Sequence, residues 1–375
     1  MDKIKTAIIG LGRIASLLED DSRREKPCTH AGAITANPDC VLAGGCDIDE
    51  ERRRLFAERW RVPVYADAAE MLRAQSPHIL VIATHPDSHH EYCRLAAEAG
   101  VPVVICEKPL ADTLREARKI ARLARGDNHA PQDAPVIITN HERRYSADYI
   151  KAREILASEK LGPLLSARAV LYMGKNKRLL DVLWHDGTHL ADALMFLTGS
   201  RLRHRKRWGA KLGAFAGTAW LEGELEWGLG TKDWGLGTRD QGLGIVIRNL
   251  SSLASRFACL LRSPVPSPHS LVPITMELGA GRDHLVFEIE FSCASGRLRI
   301  GNGVFEVWES VESPYAENFR SLKMTTSGFT GATGYFANMV ADAVACVKEP
   351  GRRPVSSAED GLAVIEYLNS VSPWR

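Results

Sequence analysis

The sequence predicts an α/β protein in two parts, a doubly wound parallel sheet over residues 1–140 and a strand-rich α/β domain over residues 141–375. Three observations carry this prediction. Short apolar runs and helical stretches alternate strictly through the first third, as in a parallel sheet with helical crossovers. The first run ends in a glycine-rich turn, Gly10-Leu11-Gly12-Arg13-Ile14-Ala15. Beyond Leu161-Gly162-Pro163, strand-like runs dominate around one helical stretch, which marks a second domain.

Composition bounds the function. With 375 residues, 45% hydrophobic and 25% charged, the chain is long enough for real cores and is neither collagenous nor disordered. Lys+Arg 48 against Asp+Glu 46 leaves a formal charge of +2, too balanced for a nucleic-acid partner held by a broad basic field. The eight cysteines contain no C-x-x-C pair, which argues against zinc, iron-sulfur or disulfide frameworks and for a reducing, cytoplasmic setting. No apolar run reaches the roughly 18–20 residues that span a bilayer, and the N-terminus runs directly into a strand, so no membrane partner is expected.

The elements follow in order. Residues 6–9 read as a buried strand, and the G-x-G-x-x-A turn after it has the form of a Rossmann dinucleotide fingerprint. Gly10 permits the tight turn, Gly12 lets backbone approach a pyrophosphate, and Ala15 lets a helix pack on the strand. Arg13 and Ile14 stand at that helix N-terminus, where free N–H groups favour an anion. A second strand, 41–46, ends in Asp47, whose carboxylate can accept both hydroxyls of an adenosine ribose; this favours NAD over NADP. The spacing from Ala15 to Asp47 exceeds the usual interval, and the polar stretch 19–29 reads as an insertion. A bland alternative makes Asp47 a helix N-cap before Glu50 and Glu51. Helices over 49–59, 88–99 and 112–125 then alternate with strands over 79–83, 103–106 and 136–139. Ligands of such sheets lie at the carboxyl ends of the strands. There stand Thr84, His85, Pro86 and His89, then Glu107-Lys108-Pro109, then Asn140.

Glu107-Lys108-Pro109 downstream of the fingerprint and Asp47 resembles the Gfo/Idh/MocA family of nicotinamide-dependent sugar and cyclitol oxidoreductases. The resemblance extends through Asn140-His141-Glu142-Arg143-Arg144-Tyr145, through Asp186-Gly187-Thr188-His189-Leu190-Ala191-Asp192, and into the helical stretch 335–347 and residues 356–361. It implies a Rossmann domain followed by an α/β domain with an open, largely antiparallel sheet, the substrate wall and commonly the oligomer interface. Strand-like runs at 164–173, 201–212, 285–291, 297–300 and 304–308, with a helix over 187–197, agree with it, as do closing helices within about 333–371. The resemblance also implies NAD as cofactor, contacts to it from Thr84, His89, Glu107, Lys108 and Asn140, and assembly as a homodimer or homotetramer.

Oxidising a secondary alcohol needs a hydride acceptor, a base for the hydroxyl proton and a cation for the developing alkoxide. By the resemblance, Lys108 points at the substrate oxygen and His189 is its partner. His189 as base and Lys108 as stabiliser or shuttle is the natural division, though the sequence leaves the roles open. Many relatives carry an acid four positions before this histidine, where here His185 stands, with Asp186 one residue later. On a continuous helix both would approach His189. The His185/His189 spacing also suits a metal, but no Glu follows as in H-E-x-x-H, and no metal is expected. Pro109 after Lys108 takes a cis bond that aims the lysine, or an ordinary trans turn. Arg143 and Arg144 read as a solvated charge pair or a phosphate contact.

Two segments stand outside the family pattern. Arg201, Arg203, Arg205 and Arg207 would share one strand face, opposite His204 and Lys206, as a charge-protected edge or an anion cradle. Trp227-Gly-Leu-Gly-Thr231 recurs at 234–238 and, degraded, at 241–245, a seven-residue repeat read as paired turns, before a stiff Pro-rich connector over 263–268. The expected function is NAD-dependent hydride transfer to or from a sugar, sugar nucleotide or cyclitol. A closed cycle of oxidation, elimination and re-reduction on tightly bound NAD, and a non-catalytic dinucleotide sensor, stand as alternatives.

Overall fold

The computed structural model describes residues 3–127, 134–175, 177–213, 216–226, 271–328 and 333–371. The repeat over 227–245 and the connector over 263–268 lie outside them.

The N-terminal sheet has six parallel strands, β1 (Ile4–Ile9), β2 (Cys40–Cys46), β3 (Val64–Tyr65), β4 (Ile79–Ile82), β5 (Val103–Cys106) and β6 (Val136–Thr139), in the order β3-β2-β1-β4-β5-β6. β4 and β5 are apolar and buried at every position, the pattern of strands covered on both faces. Helices α1 (His30–Ala36), α2 (Glu50–Trp60), α3 (Ala68–Gln75), α4 (His89–Glu98) and α5 (Leu114–Arg125) cross between them. Asp49, Asp67 and Thr113 accept the N3 amides of α2, α3 and α5, which starts those helices where they start. β3 and α3 are additions to the elements expected from the sequence.

The fingerprint departs from expectation in one respect. It does not open a continuous helix. Residues 12–18 make a single turn, with Leu18 N on Arg13 O at 2.9 Å, a 3-10 turn follows over Leu17–Asp20, and α1 starts only at His30. The inserted stretch leaves and rejoins this axis, since Ala31 N donates to Ala15 O at 2.9 Å. Glu19 closes the loop by accepting from Thr29 Oγ1 at 2.6 Å and from Cys28 N at 3.3 Å.

After a 3-10 turn (Glu142–Tyr145) and α6 (Ala147–Ala157), the chain builds an eight-stranded sheet. Its strands are β7 (Leu164–Tyr172), β8 (Leu202–Gly213), β9 (Ala216–Glu226), β10 (Leu271–Ala280), β11 (Val286–Cys293), β12 (Gly296–Gly301), β13 (Val304–Glu312) and β14 (Arg320–Ser327). The order is β14-β13-β12-β11-β7-β10-β9-β8, antiparallel except for β7 beside β10. The expected open, largely antiparallel sheet is present. β10 was hidden by Pro273, which the ladder tolerates because pairing with β7 begins only at Ile274. β9, rich in Gly and Glu, and β14, exposed along most of its length, carry little apolar signal.

One sheet face buries Val272, Ile274, Met276 and Leu278 of β10 and Phe287, Ile289 and Phe291 of β11. They belong to the same core as α6, as α8 (Gly187–Thr198), which follows the single turn α7 (Leu179–Asp181) and a π-helical turn (Val182–Asp186), and as α10 (Ala358–Val371). That core continues into the α4/α5 side of the N-terminal sheet. On the sheet's other side, Ile8, Val81, Ile105 and Ile138 pack with Phe336, Met339, Val340 and Val344 of α9 (Tyr335–Lys348). The C-terminal helices thus close the N-terminal layer.

β8 is an edge strand, but its cations do not alternate as expected. The register slips between His204 and Lys206, so Arg207, opposite Leu221, joins the inner face of Leu202 and His204. Its Nη1 donates to Val371 O at the end of α10, at 2.7 Å.

Candidate active site

The carboxyl ends of β1, β2, β4, β5 and β6 lie along one edge of the parallel sheet, where the ligand crevice of such sheets opens. Gly10 has φ +86°, and a Cβ there would lie 2.7 Å from Ala83 O, so only glycine fits. A Cβ on Gly12 would meet only Arg52 Nη1, at 3.9 Å. Among the described residues the amides of Gly12, Arg13 and Ile14 have no acceptor. Unpartnered amides facing open space are what a dinucleotide pyrophosphate requires, so the residues present fit such a cofactor.

Asp47 is not the N-cap of α2, a role Asp49 takes. Its buried carboxylate accepts from Leu11 N at 2.8 Å and from Asp49 N at 2.9 Å, with Arg52 Nη1 at 3.6 Å. This fixes an anionic acceptor beside the fingerprint. Thr84 follows β4 and abuts Gly10. His89 has its ring nitrogens 3.2 Å from Thr84 O and from Leu110 O, so it brackets the two loops at the crevice floor. Burial lowers its pKa, and the neutral ring has one proton for those two carbonyls.

The loop after β5 holds the densest chemistry. Glu107 is buried, and its Oε1 accepts from Asn140 Nδ2 at 2.6 Å and lies 2.7 Å from His30 Nε2. Burial opposes its charge, but His30, Asn140 and Lys108 outweigh that and lower its pKa. The Lys108–Pro109 peptide is cis. Lys108 Nζ donates to His185 O at 3.1 Å, which ties the lysine to the start of α8.

His189 lies in the first turn of α8, in the field of Lys108, Arg143 and His141. Burial first, then those neighbouring cations, holds its pKa well below that of free imidazole. His185 and Asp186 stand in the π-helical turn that runs directly into α8; the His185 carbonyl accepts from Lys108 Nζ and Thr188 Oγ1, and Asp186 pairs with Lys177 at 3.4 Å.

Arg143 and Arg144 are not a solvated pair. The Arg143 guanidinium lies over Phe287, 3.8 Å from the ring centroid. Arg144 is buried against Asp192 at 2.8 Å and Asp360 at 3.3 Å. Asp192 also lies 2.9 Å from His141 Nδ1, so one carboxylate gathers His141 and Arg144 behind His189. Burial opposes the Asp192 charge, yet Arg144 and His141 pull its pKa down to about 2. The positioning roles of His30 and His141 escape the sequence: an insertion separates His30 from the fingerprint, and His141 meets Asp192 only across space. Among the described residues no group of three His, Cys, Asp or Glu has the geometry to hold a metal ion.

A parallel six-stranded sheet with an amide cradle at its switch point, joined to an open antiparallel sheet, defines the class: a two-domain architecture with a dinucleotide-binding fold. Residues 4–130 match the family described as oxidoreductase family, NAD-binding Rossmann fold, GFO_IDH_MocA. Over residues 4–130 the protein thus carries the dinucleotide-binding domain of the Gfo/Idh/MocA oxidoreductases. D-glucoside 3-dehydrogenase of Escherichia coli (strain K12) is 27% identical over 212 residues, 52% of this chain and 54% of that protein. Inositol 2-dehydrogenase of Rubrobacter xylanophilus is 29% identical over 125 residues, 33% of this chain and 34% of that protein. The matched region thus spans about half, or less, of these relatives' length. A crystal structure of a putative myo-inositol dehydrogenase from Sinorhizobium meliloti shares the fold, with TM-score 0.66 at 15% identity, covering 100% of this chain and 98% of that one.

Proposed function

We propose that the protein is an NAD-dependent dehydrogenase that moves a hydride between nicotinamide and a secondary hydroxyl or keto carbon of a sugar, sugar nucleotide or cyclitol. The observation that carries this reading is that Lys108, tied to His185 O at the lead-in of α8, adds to the field that lowers the pKa of buried His189. When bound, the nicotinamide supplies the hydride acceptor. His189, held neutral by burial and adjacent cations, takes the hydroxyl proton. Lys108, aimed by His185 O, stabilises the developing alkoxide. Glu107, bound by His30 and Asn140, keeps the lysine's loop rigid. The fixed anion of Asp47 favours the free ribose hydroxyls of NAD and repels the extra phosphate of NADP.

The eight-stranded sheet leaves Leu165, Leu271, Leu322 and Met324 exposed, which supports assembly as a homodimer or homotetramer. The seven described cysteines are free, which supports a cytoplasmic, reducing location.

The test is nicotinamide reduction by the purified protein, with NAD and NADP separately, across free sugars, cyclitols and nucleotide-linked sugars. Lys108→Ala and His189→Ala should each lower kcat by roughly 10² to 10⁴ with unchanged melting temperature. Full activity in both variants would sink the assignment.

A further inference from the structure

We propose that the cavity between α6, the C-terminal end of α8 and residues 349–355 is a second binding site, built for a phosphate-bearing anion and separate from the nucleotide crevice. The cavity has a volume of about 730 Å³, within the range of small-ligand sites. Five arginines line it, Arg144, Arg153, Arg201, Arg352 and Arg353, against the carboxylates of Glu349 and Asp360.

Those carboxylates are already committed. Asp360 serves Arg144 and the Ser357 N-terminus of α10, and Glu349 serves Arg352 at 3.1 Å. Arg201 reaches out to Glu366 at 3.6 Å. Arg153 has no carboxylate within ion-pair distance among the described residues. Its guanidinium lies 4.8 Å from the centroid of Phe196, and that of Arg144 lies 5.4 Å from the same ring. Burial and the repulsion of Arg144 disfavour the charge of Arg153, and the smaller attraction of Asp360 does not offset them. Such crowding is costly unless an anion relieves it, and the planar guanidinium fork suits phosphate oxygens. Met195 and Phe196 supply an apolar wall that strengthens the attraction. The negative end of α8 is blunted, since Gly199 N and Ser200 N both close on Met195 O.

The site adjoins the proposed chemistry without sharing it. Phe196 lies seven residues after His189, about 10 Å along α8 at the usual helical rise. Arg144 is common to the cavity and to the Asp192 cluster, so an occupant would touch the residue that holds Asp192 in place.

Calorimetric titration of the full chain tests this, at fixed ionic strength, with inorganic phosphate and with phenyl phosphate, each with and without NAD. The expected result is saturable one-to-one binding that persists in NAD. Arg153→Met should weaken it at least tenfold, while Arg115→Met, an exposed change on α5, leaves it intact. Tighter binding of phenyl phosphate would assign the site to phosphate monoesters, and equal binding to the free anion. Absence of saturable binding, or binding abolished by NAD and indifferent to Arg153→Met, would overturn the proposal. Should Arg153→Met lower the melting temperature, Arg153→Lys keeps the charge, loses the fork, and carries the same tenfold expectation. The readout is heat of binding, so failure of the dehydrogenase assignment would leave it interpretable.

Discussion

At the scale of single residues, the charge state of His189 decides what it can do. A buried imidazole in the field of Lys108 and Arg143 stays neutral through the physiological range, and a neutral ring accepts protons. The sign follows directly: protonation removes the acceptor, so activity is lost only as pH falls through the depressed pKa. The acid limb of kcat/KM should therefore lie well below pH 6.5, and a limb at or above 6.5 would contradict the assigned base. Lys108 and Glu107 were legible in the sequence because they follow one buried strand consecutively, where ligands of this sheet bind. The π-helical form of the turn carrying His185 and Asp186 was not legible, because helical periodicity alone does not distinguish it from an α-helical turn.

At the scale of elements, Asp192 locks α8 to the lead-in of α6, and Arg144 carries that link on to Asp360 at the start of α10. Removing one partner of a buried ion cluster leaves uncompensated charge, so Asp192→Ala should destabilise the fold by about 3–5 kcal/mol, read by urea unfolding. A loss below about 1 kcal/mol would show that the cluster is not structural. Because folding lowers the Asp192 pKa from 3.8 to about 2, its stabilisation is complete above pH 3.8 and is lost as pH falls from 3.8 towards 2. Acid unfolding of the wild type should steepen there, and the variant should lack that component. The helix bearing Asp192 was legible as an apolar helical stretch, but the partners of Asp192, Arg144 and His141, lie on a segment far before it in sequence. The β8 bulge was equally hidden, because only the pairing with β9 reveals which residue is extra.

At the scale of the whole molecule, the C-terminal helices finish the N-terminal layer. Phe336, Met339, Val340 and Val344 of α9 cover the sheet face carrying Ile8, Val81, Ile105 and Ile138. Burying four such side chains contributes roughly 6–12 kcal/mol, comparable to the whole stability of a typical domain. A chain ending at residue 333 should therefore lose its cooperative melting transition and bind a hydrophobic dye. An unchanged transition would show that the N-terminal sheet stands without α9.

The sequence by itself determined the order of the parallel strands' segments, the glycine cradle, Asp47, the Lys108 loop and the helix carrying His189. These are local: each depends on a short run whose periodicity, turn chemistry or backbone freedom is written in consecutive residues. Tertiary structure decided which groups surround that chemistry. It brought His30 to Glu107 across an insertion, set His141 and Arg144 on Asp192 and Arg144 on Asp360, and left Arg153 on the wall of an arginine-lined cavity. Burial and pairing depend on distance in space, and residues far apart in the chain acquire that only when the layers pack.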